Sequence, residues 1–373
     1  MQIKASAELQ EDVLQKGLCV DCGACVGICP YFKSHAGKIA MLFSCNLPQG
    51  RCHAHCPKVE LDLERITQAT FGKPYDGSPL GHYSEIKKAR AGARLQGRGR
   101  FQNGGSVTAL IAFALKSETI AAAALTGSLG LTPVPVLATS EAEVIACAGT
   151  KYMAAPSVAS VNDYLRSGIG NLGVVGTPCQ IAAVAQARLN PLNKPGFRDV
   201  VALTIGLFCT WAVDTRSFGA LVGDKTDACA VTAMDVPPPP ASVMEITTTS
   251  ASYAIPLDEI RKTIPGGCAI CPDMTAELAD VSVGAMEGEP TWNTLIIRSA
   301  RGAALVEQAV RGGYLELADL PLASQENLAR GAAGKKKRAL LKAREDRLLN
   351  VDPASGRSAM LIDDSVVQRI LAG

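Results

Sequence analysis

Apolar and polar positions change period along this chain, and the changes divide it. After Gly104-Gly105 the run SVTALIAFALKS predicts a strongly apolar helix, and QIAAVAQARL predicts another. Between and after them, PVPVLAT, LGVVG and ALTIGLF read as short buried strands. Strands alternating with helices over residues 101–235 predict an α/β core with a mainly parallel sheet. The longest stretch without a charge, Thr119 to Ser140, is broken by Gly127, Gly130, Pro133 and Pro135, so it predicts strands and turns and not a membrane span. The prolines from Pro237 to Pro240 then interrupt the chain before the strand-like MEITTTS. Residues 71–100 are basic and glycine-rich, as an irregular connection would be. Near the end, KKKRALLKAREDRLL predicts a basic amphipathic helix, whose charges either face solvent or dock onto an acidic partner. The expected organisation is a cysteine-rich head over 1–70, a connection over 71–100, an α/β core over 101–300 and a helical tail over 301–373.

Composition narrows the class. At 373 residues with 47% hydrophobic but only 5% aromatic content, the chain can bury two or three cores built from Ala, Val, Leu and Ile. A formal net charge of +2, with no aromatic-interleaved basic stripe, excludes a nucleic-acid binder driven by a global basic field. MQIKASAELQEDVLQ has no charged-then-apolar leader, so a reducing, cytoplasmic setting is expected.

The chemistry is concentrated in cysteine. Cys19, Cys22, Cys25 and Cys29-Pro30 spell CxxCxxCxxxCP, the ligand run of bacterial ferredoxins, in which three thiolates hold one cubane and the fourth crosses to another. A partner motif is then required downstream. CNLPQGRCHAHCP supplies one in altered form, with Gln49 where a middle cysteine would stand. One 4Fe-4S cluster is complete from Cys19, Cys22, Cys25 and Cys56. The second set has Cys29, Cys45 and Cys52, which leaves a three-iron cluster, a cubane closed by another group such as His53 or His55, or no cluster. The bland alternative for a histidine in such a loop is solvation. Zinc-type CxxC pairs occur at Cys19/Cys22 and Cys268/Cys271, but zinc ribbons do not use three cysteines at this pitch before Cys-Pro. The head therefore predicts a bacterial ferredoxin-like domain.

A second cysteine set lies in the core. Cys179 follows a strand and a Gly-Thr-Pro turn and opens a helix; Cys209 ends the strand ALTIGLF; Cys268 and Cys271 lie in GGCAICPD. Strand ends are where such folds assemble sites, and a helix N-terminus favours a thiolate. Four thiolates on three loops can hold a further cubane. A lone nucleophilic Cys179 would need a base, and all four histidines lie before residue 83; inert buried cysteines are the remaining alternative.

With QNGGSVTALIAFAL, AGTKYMAAPS, VVGTPCQIAA, IGLFC and CAICPDMTAELADVSVGA in this order, the chain resembles the beta subunits of hydrogenases and dehydrogenases that reduce the deazaflavin coenzyme F(420). The resemblance runs from about Cys19 to Arg301. It implies FAD beside a 4Fe-4S cluster, with Cys179, Cys209, Cys268 and Cys271 as that cluster's ligands. It further implies hydride exchange with a deazaflavin or nicotinamide carrier, and electron relay to or from a catalytic partner such as a formate dehydrogenase or hydrogenase, or a ferredoxin-type partner. A self-contained reductase of a large organic substrate, of the chlorophyllide-reductase type, is the rival within the same group. Flavin-binding expectations fall on Asn103, Gly104, Gly105 and Thr108 at the α/β helix start, where backbone N–H groups suit a diphosphate, and on Gly176 and Thr177. Lys151 is a candidate cation for a reduced flavin, beside Tyr152. Asp273 and Glu277 either bond the flavin or cap a helix starting near Met274.

Overall fold

Each apolar run read above as a buried strand becomes part of one sheet. A computed structural model describes residues 3–99, 101–167, 170–192, 198–237, 240–354 and 356–373; Arg100 of the expected connection and Pro238 and Pro239 of the proline run lie outside these. In chain order the sheet contains β1 Glu85–Ala91, β2 Ala122–Leu129, β3 Thr132–Ala138, β4 Leu172–Gly176, β5 Val201–Leu207, β6 Val281–Ala285, β7 Asn293–Ile297 and β8 Leu315–Asp319. Their order across the sheet is β8-β1-β7-β6-β5-β4-β2-β3. The four central strands β6, β5, β4 and β2 run parallel, and β7, β1, β8 and β3 extend the sheet through antiparallel pairings. Five of the eight strands (β1, β2, β4, β5, β6) thus point one way, and the fold is mixed α/β. β4 and β7 are buried along their whole length, which is why LGVVG and NTLII carry no polar alternation.

Helices α1 Ser106–Lys116 and α3 Ala300–Arg311 cover one face, packing Leu110 and Ile111 with Leu305 and Val306 over Ile205 and Leu295. Helix α2, Pro178–Leu189, is apolar nearly all round and is buried on two sides. Its Ala183 and Val184 meet Leu172 and Val174 of β4, while Ile181, Ala182 and Ala185 face the cysteine-rich head. Ile181 is 1% exposed; burying such a side chain contributes about 1.5–3 kcal/mol relative to leaving it in water. A separate antiparallel sheet, Val231–Asp235, Val243–Thr248 and Ser252–Pro256, encloses Met234, Met244 and Ile246 with Phe218.

The expected boundaries at 101 and 300 do not bound the sheet. The basic segment 71–100 contributes β1, and the expected helical tail contributes β8, which pairs with β1. EIKKARA hides a strand because its charged side chains, on both faces, are paired with distant carboxylates: Lys87 with Asp319 at 3.0 Å, Lys88 with Glu289 at 2.7 Å and Arg90 with Glu316 at 2.7 Å. Among the described residues, the head's apolar side chains pack into clusters shared with the rest of the chain. Leu9, Val13, Phe32 and Ile66 share one apolar cluster with Ile270, Leu340, Met360 and Val367. A small parallel sheet ties Leu61–Asp62 to Met360–Leu361 and Leu349–Asn350. The KKKR helix, α4 Leu322–Glu345, departs from the solvated-face expectation: Lys335 and Lys336 are buried, at 6% and 1% exposure. Among the described residues no helix is long and apolar enough to cross a membrane.

Candidate redox centre

The core grips the Cys19–Cys29 loop through its backbone. Val158 N–H donates to the Cys22 carbonyl at 3.0 Å, and the buried Asn162 amide donates to the carbonyls of Ala24 (3.0 Å) and Val26 (2.7 Å). Arg166 donates to the Gly27 carbonyl. Gly23 has φ +86°, and a Cβ there would stand 2.3 Å from the Pro156 carbonyl oxygen, so only glycine lets this turn lie on the core. From the other side GGCAICPD presses on the same loop: a Cβ on Gly267 would stand 2.0 Å from the Leu18 carbonyl oxygen. Both cysteine segments are therefore docked edge to edge.

Burial dominates the thiols of both cysteine segments, and neighbouring cysteines act on one another. Burial drives the Cys22 and Cys25 thiols well above the usual range, with Cys56 the next contributor to each. Burial likewise pushes Cys56 up to about 12, and Cys19 adds to it. Cys52, pushed up to about 11 by burial, has Cys29 and Cys45 as its thiol neighbours. In the core, burial raises Cys179 to about 11 against the opposing Thr177 hydroxyl, with Cys268 and Cys271 adding. Cys209 is raised by burial, held back by Lys335, and has Cys268, Cys179 and Cys271 around it. Cys22 also has Cys179 as a neighbour, which puts the head and core groupings side by side. Coordination to a soft cation removes the proton of a buried thiol outright, and thiolates select iron–sulfur clusters, zinc or copper. The donor sets fit iron–sulfur ligation in that sense. Among the described residues no three Cys, His, Asp or Glu side chains are gathered closely enough to hold a single metal ion. All thirteen cysteines are free; Cys147 and the exposed Cys229 stand outside these groupings.

The two histidines are buried, and among the described residues neither Nε2 has a hydrogen-bond partner. His53 and His55 are 1% and 3% exposed, and burial holds both down to about 4. His53 Nδ1 accepts the Lys4 N–H at 3.3 Å amid Glu8 and Asp12, whereas the groups acting on His55 are Arg51 and Asn190.

At the expected flavin site, Ala91 N–H donates to the Gly104 carbonyl at 2.6 Å and Asn293 Oδ1 accepts the Ser106 N–H at 3.1 Å, so the Gly104-Gly105 turn is fixed between β1 and β7. Gly105 is the N-cap of α1, with φ 73°. Thr108 lies buried one residue beyond Val107, and Asn103 is half-buried ahead of the turn. Ser106 Oγ, on the first residue of the helix, is buried without a partner, and this orphan hydroxyl at a helix N-terminus fits a phosphate-bearing cofactor. Tyr152 lies within reach of this region through Gln102, whose amide donates to Asp235 (3.0 Å) and accepts from Thr150 N–H (2.7 Å). Burial, with Asp235 nearby, raises the Tyr152 hydroxyl to about 12.

Lys151 departs from expectation. Its ammonium donates to the carbonyls of Cys147 (2.6 Å), Ala148 (3.2 Å) and Gly149 (3.0 Å), so its three hydrogens close the end of the Glu141–Ala146 helix and none is free for a flavin. Gly176 and Thr177 shape the start of α2, where Thr177 N–H donates to Gln180 Oε1 at 2.8 Å and Thr177 Oγ1 lies 3.3 Å from Cys179 Sγ. Asp273 does not cap a helix; its two carboxylate oxygens accept the Thr275 and Glu277 N–H groups at 3.0 and 2.9 Å in a turn.

Several positioning residues carry no local sequence signal. Lys335 Nζ donates to the carbonyls of Cys209 (2.6 Å) and Asp273 (2.7 Å). Lys58, also 6% exposed, acts on Cys56, Cys179 and Cys268. It lines a cavity of about 50 Å³ with Tyr75, Cys179, Cys271, Asp273 and Glu277. Asp280 Oδ2 accepts Thr204 N–H and Oγ1, both at 2.9 Å, which anchors the TAELAD segment to β5. The buried Arg298 guanidinium holds the Leu80 carbonyl at 2.7 Å and Thr275 Oγ1 at 2.9 Å. For Lys335 and Arg298 only long-range partners distinguish them from surface cations.

A mixed α/β sheet whose strand ends gather buried thiols beside a second, ferredoxin-spaced set is the framework of an electron-transfer component of an oxidoreductase. The chain belongs to the family of coenzyme F420 hydrogenase/dehydrogenase beta subunits: residues 89–162 match its N-terminal part and residues 169–322 its C-terminal part. It is 33% identical over 242 residues to the coenzyme F420 hydrogenase subunit beta of Methanothermobacter thermautotrophicus, covering 64% of this chain and 85% of that one. It is 28% identical over 304 residues to a component of the F(420)H(2) dehydrogenase of Methanosarcina mazei, covering 78% of this chain and 82% of that one. Its fold is similar to a chain of the F420-reducing [NiFe] hydrogenase complex from Methanosarcina barkeri, with a TM-score of 0.64 and 28% identity over 72% of this chain and 94% of that one.

Proposed function

We propose that this chain is an FAD- and iron–sulfur-dependent subunit that exchanges a hydride with a deazaflavin (F420) or nicotinamide carrier and relays electrons to or from a catalytic partner such as a hydrogenase or formate dehydrogenase. The observation that carries the reading is the mutual influence of Cys179, Cys209, Cys268 and Cys271 on three separate segments, with Cys22 of the head set also acting with Cys179. When bound, a flavin supplies the exchange between two-electron and one-electron chemistry, and iron–sulfur clusters supply one-electron relay. The chain's own residues have three tasks.

The first is anchoring. Ser106 and the open helix start behind Asn103, Gly104 and Gly105, with Thr108 a turn further in, would hold a flavin's diphosphate. Tyr152, fixed by Gln102 and Asp235, would pack near it with Gly176, Thr177 and Asp273. The second task is ligation, by Cys179, Cys209, Cys268 and Cys271 in the core and by Cys19, Cys22, Cys25 and Cys56 in the head; Cys29, Cys45 and Cys52 offer three further thiolates. The third is exclusion of water, by Tyr75, Leu278 and Met360 around the cavity beside Cys179. No side-chain base is needed, because a hydride leaves its carrier without a proton transfer to protein. A reducing, cytoplasmic compartment suits this thiol chemistry.

Iron, sulfide and flavin analysis of anaerobically purified protein tests the proposal: flavin and at least about eight irons per chain are expected from two complete cubanes. About four irons or fewer would refute the two-set reading. In Cys271→Ala the low-temperature EPR signal of the core cluster should vanish while the head signal persists; spectra matching the parent would refute the ligand assignment.

A further inference from the structure

Lys335 sits where a charge has no ordinary reason to be. It comes from the long helix α4, more than sixty residues after the last core cysteine, yet its ammonium is buried against the Cys209 and Asp273 carbonyls at 2.6 and 2.7 Å. The groups acting on it are Cys271, Cys209, Asp273 and Cys268, three of the four core thiols among them. Its neighbour Lys336 is neutralised by Glu277 at 2.8 Å, but among the described residues no carboxylate forms an ion pair with Lys335. An unpaired buried ammonium is costly unless something negative is placed near it. Four thiolates supply that negative charge once a cluster is bound, and each added electron increases it.

Resting on the four-thiolate reading above, we propose that Lys335 is a built-in counter-charge for the core cluster, which raises its reduction potential and makes α4 a redox-tuning element. A one-electron reduction adds one negative charge to the cluster, and a fixed cation across a single peptide group favours that state. The two carbonyl bonds fix the distance, so the effect does not depend on a mobile side chain. Lys335 is a positioning and tuning residue; it touches the ligand's backbone and no reacting atom.

The test is an EPR-monitored redox titration of the full-length, anaerobically purified protein and of Lys335→Met, Lys335→Gln and Lys335→Arg. The signal to follow is the one that Cys271→Ala abolishes. In Lys335→Met and Lys335→Gln its reduction equilibrium should fall about tenfold or more, equivalent to about 59 mV toward lower potential for one electron. Lys335→Arg should restore most of it, and the head signal should stay in place throughout. Full iron content with an unshifted core signal in both neutral variants would overturn the inference. So would loss of the core iron from both, which would make the role structural. If the parent protein shows no signal that Cys271→Ala removes, the four-thiolate reading itself fails, a distinguishable result.

Discussion

Replacing Lys336 with methionine should unbalance the most deeply buried ion pair among the described residues. Lys336 Nζ lies 2.8 Å from Glu277 Oε1, 2.8 Å from the Ser78 carbonyl and 3.2 Å from the Tyr75 hydroxyl, with the two partners 1% and 9% exposed. Methionine preserves the stem and removes the charge, so the carboxylate is left buried and unpaired. Breaking such a pair from one side costs about 3–5 kcal/mol. The double variant Lys336→Met, Glu277→Leu removes both charges and should recover most of that loss. Burial already holds the Glu277 carboxyl up to about 7 despite the ammonium. Without it the folded chain retains a proton that the unfolded chain has released, so the penalty grows as pH rises. Lys336→Met should therefore be less destabilised at pH 6 than at pH 8. Anaerobic urea unfolding of parent, both single variants and the double variant at the two pH values measures these terms. A single-variant loss under about 1 kcal/mol, or additive single and double losses, would refute the argument that the pair acts as a unit.

Two further substitutions probe how the cysteine loops are held. Asn162→Ala leaves the Ala24 and Val26 carbonyls without their buried donor, at about 1–3 kcal/mol each, and amide exchange of residues 20–29 should accelerate while the central strands are unchanged; equal protection would refute the clamp. Gly267→Ala forces a Cβ within 2.0 Å of the Leu18 carbonyl oxygen, so the head should separate from the core loop and protease cleavage near Gly17 should increase; a parent-like digestion pattern would refute the close contact.

The strands and helices of the centre were readable because their apolar runs are set by burial on both faces: LGVVG, ALTIGLF and SVTALIAFALKS occupy the elements their patterns suggested. EIKKARA was not readable as a strand, since its charged side chains are matched by Asp319, Glu289 and Glu316, which lie at least 200 residues away in the chain. Lys335 and Lys336 could not be told from the solvated Lys342 and Arg344 of the same helix, because what buries them is a turn around Asp273 and a carboxylate at position 277. Lys151 shows the reverse case: a cation beside a site by sequence, whose hydrogens are taken by the helix end just before it.

The apolar cluster shared by Leu9, Phe32 and Ile66 with Leu340, Met360 and Val367 joins positions some 300 residues apart. A chain is made from its N-terminus, so the first cysteine loop emerges well before the residues that complete its surroundings. Met360 and Leu361, which pair with Leu61 and Asp62 of the head in the small parallel sheet, emerge later still. During synthesis the head therefore precedes the residues that complete its apolar cluster, and its final packing waits for Leu340, Met360 and Val367 to emerge.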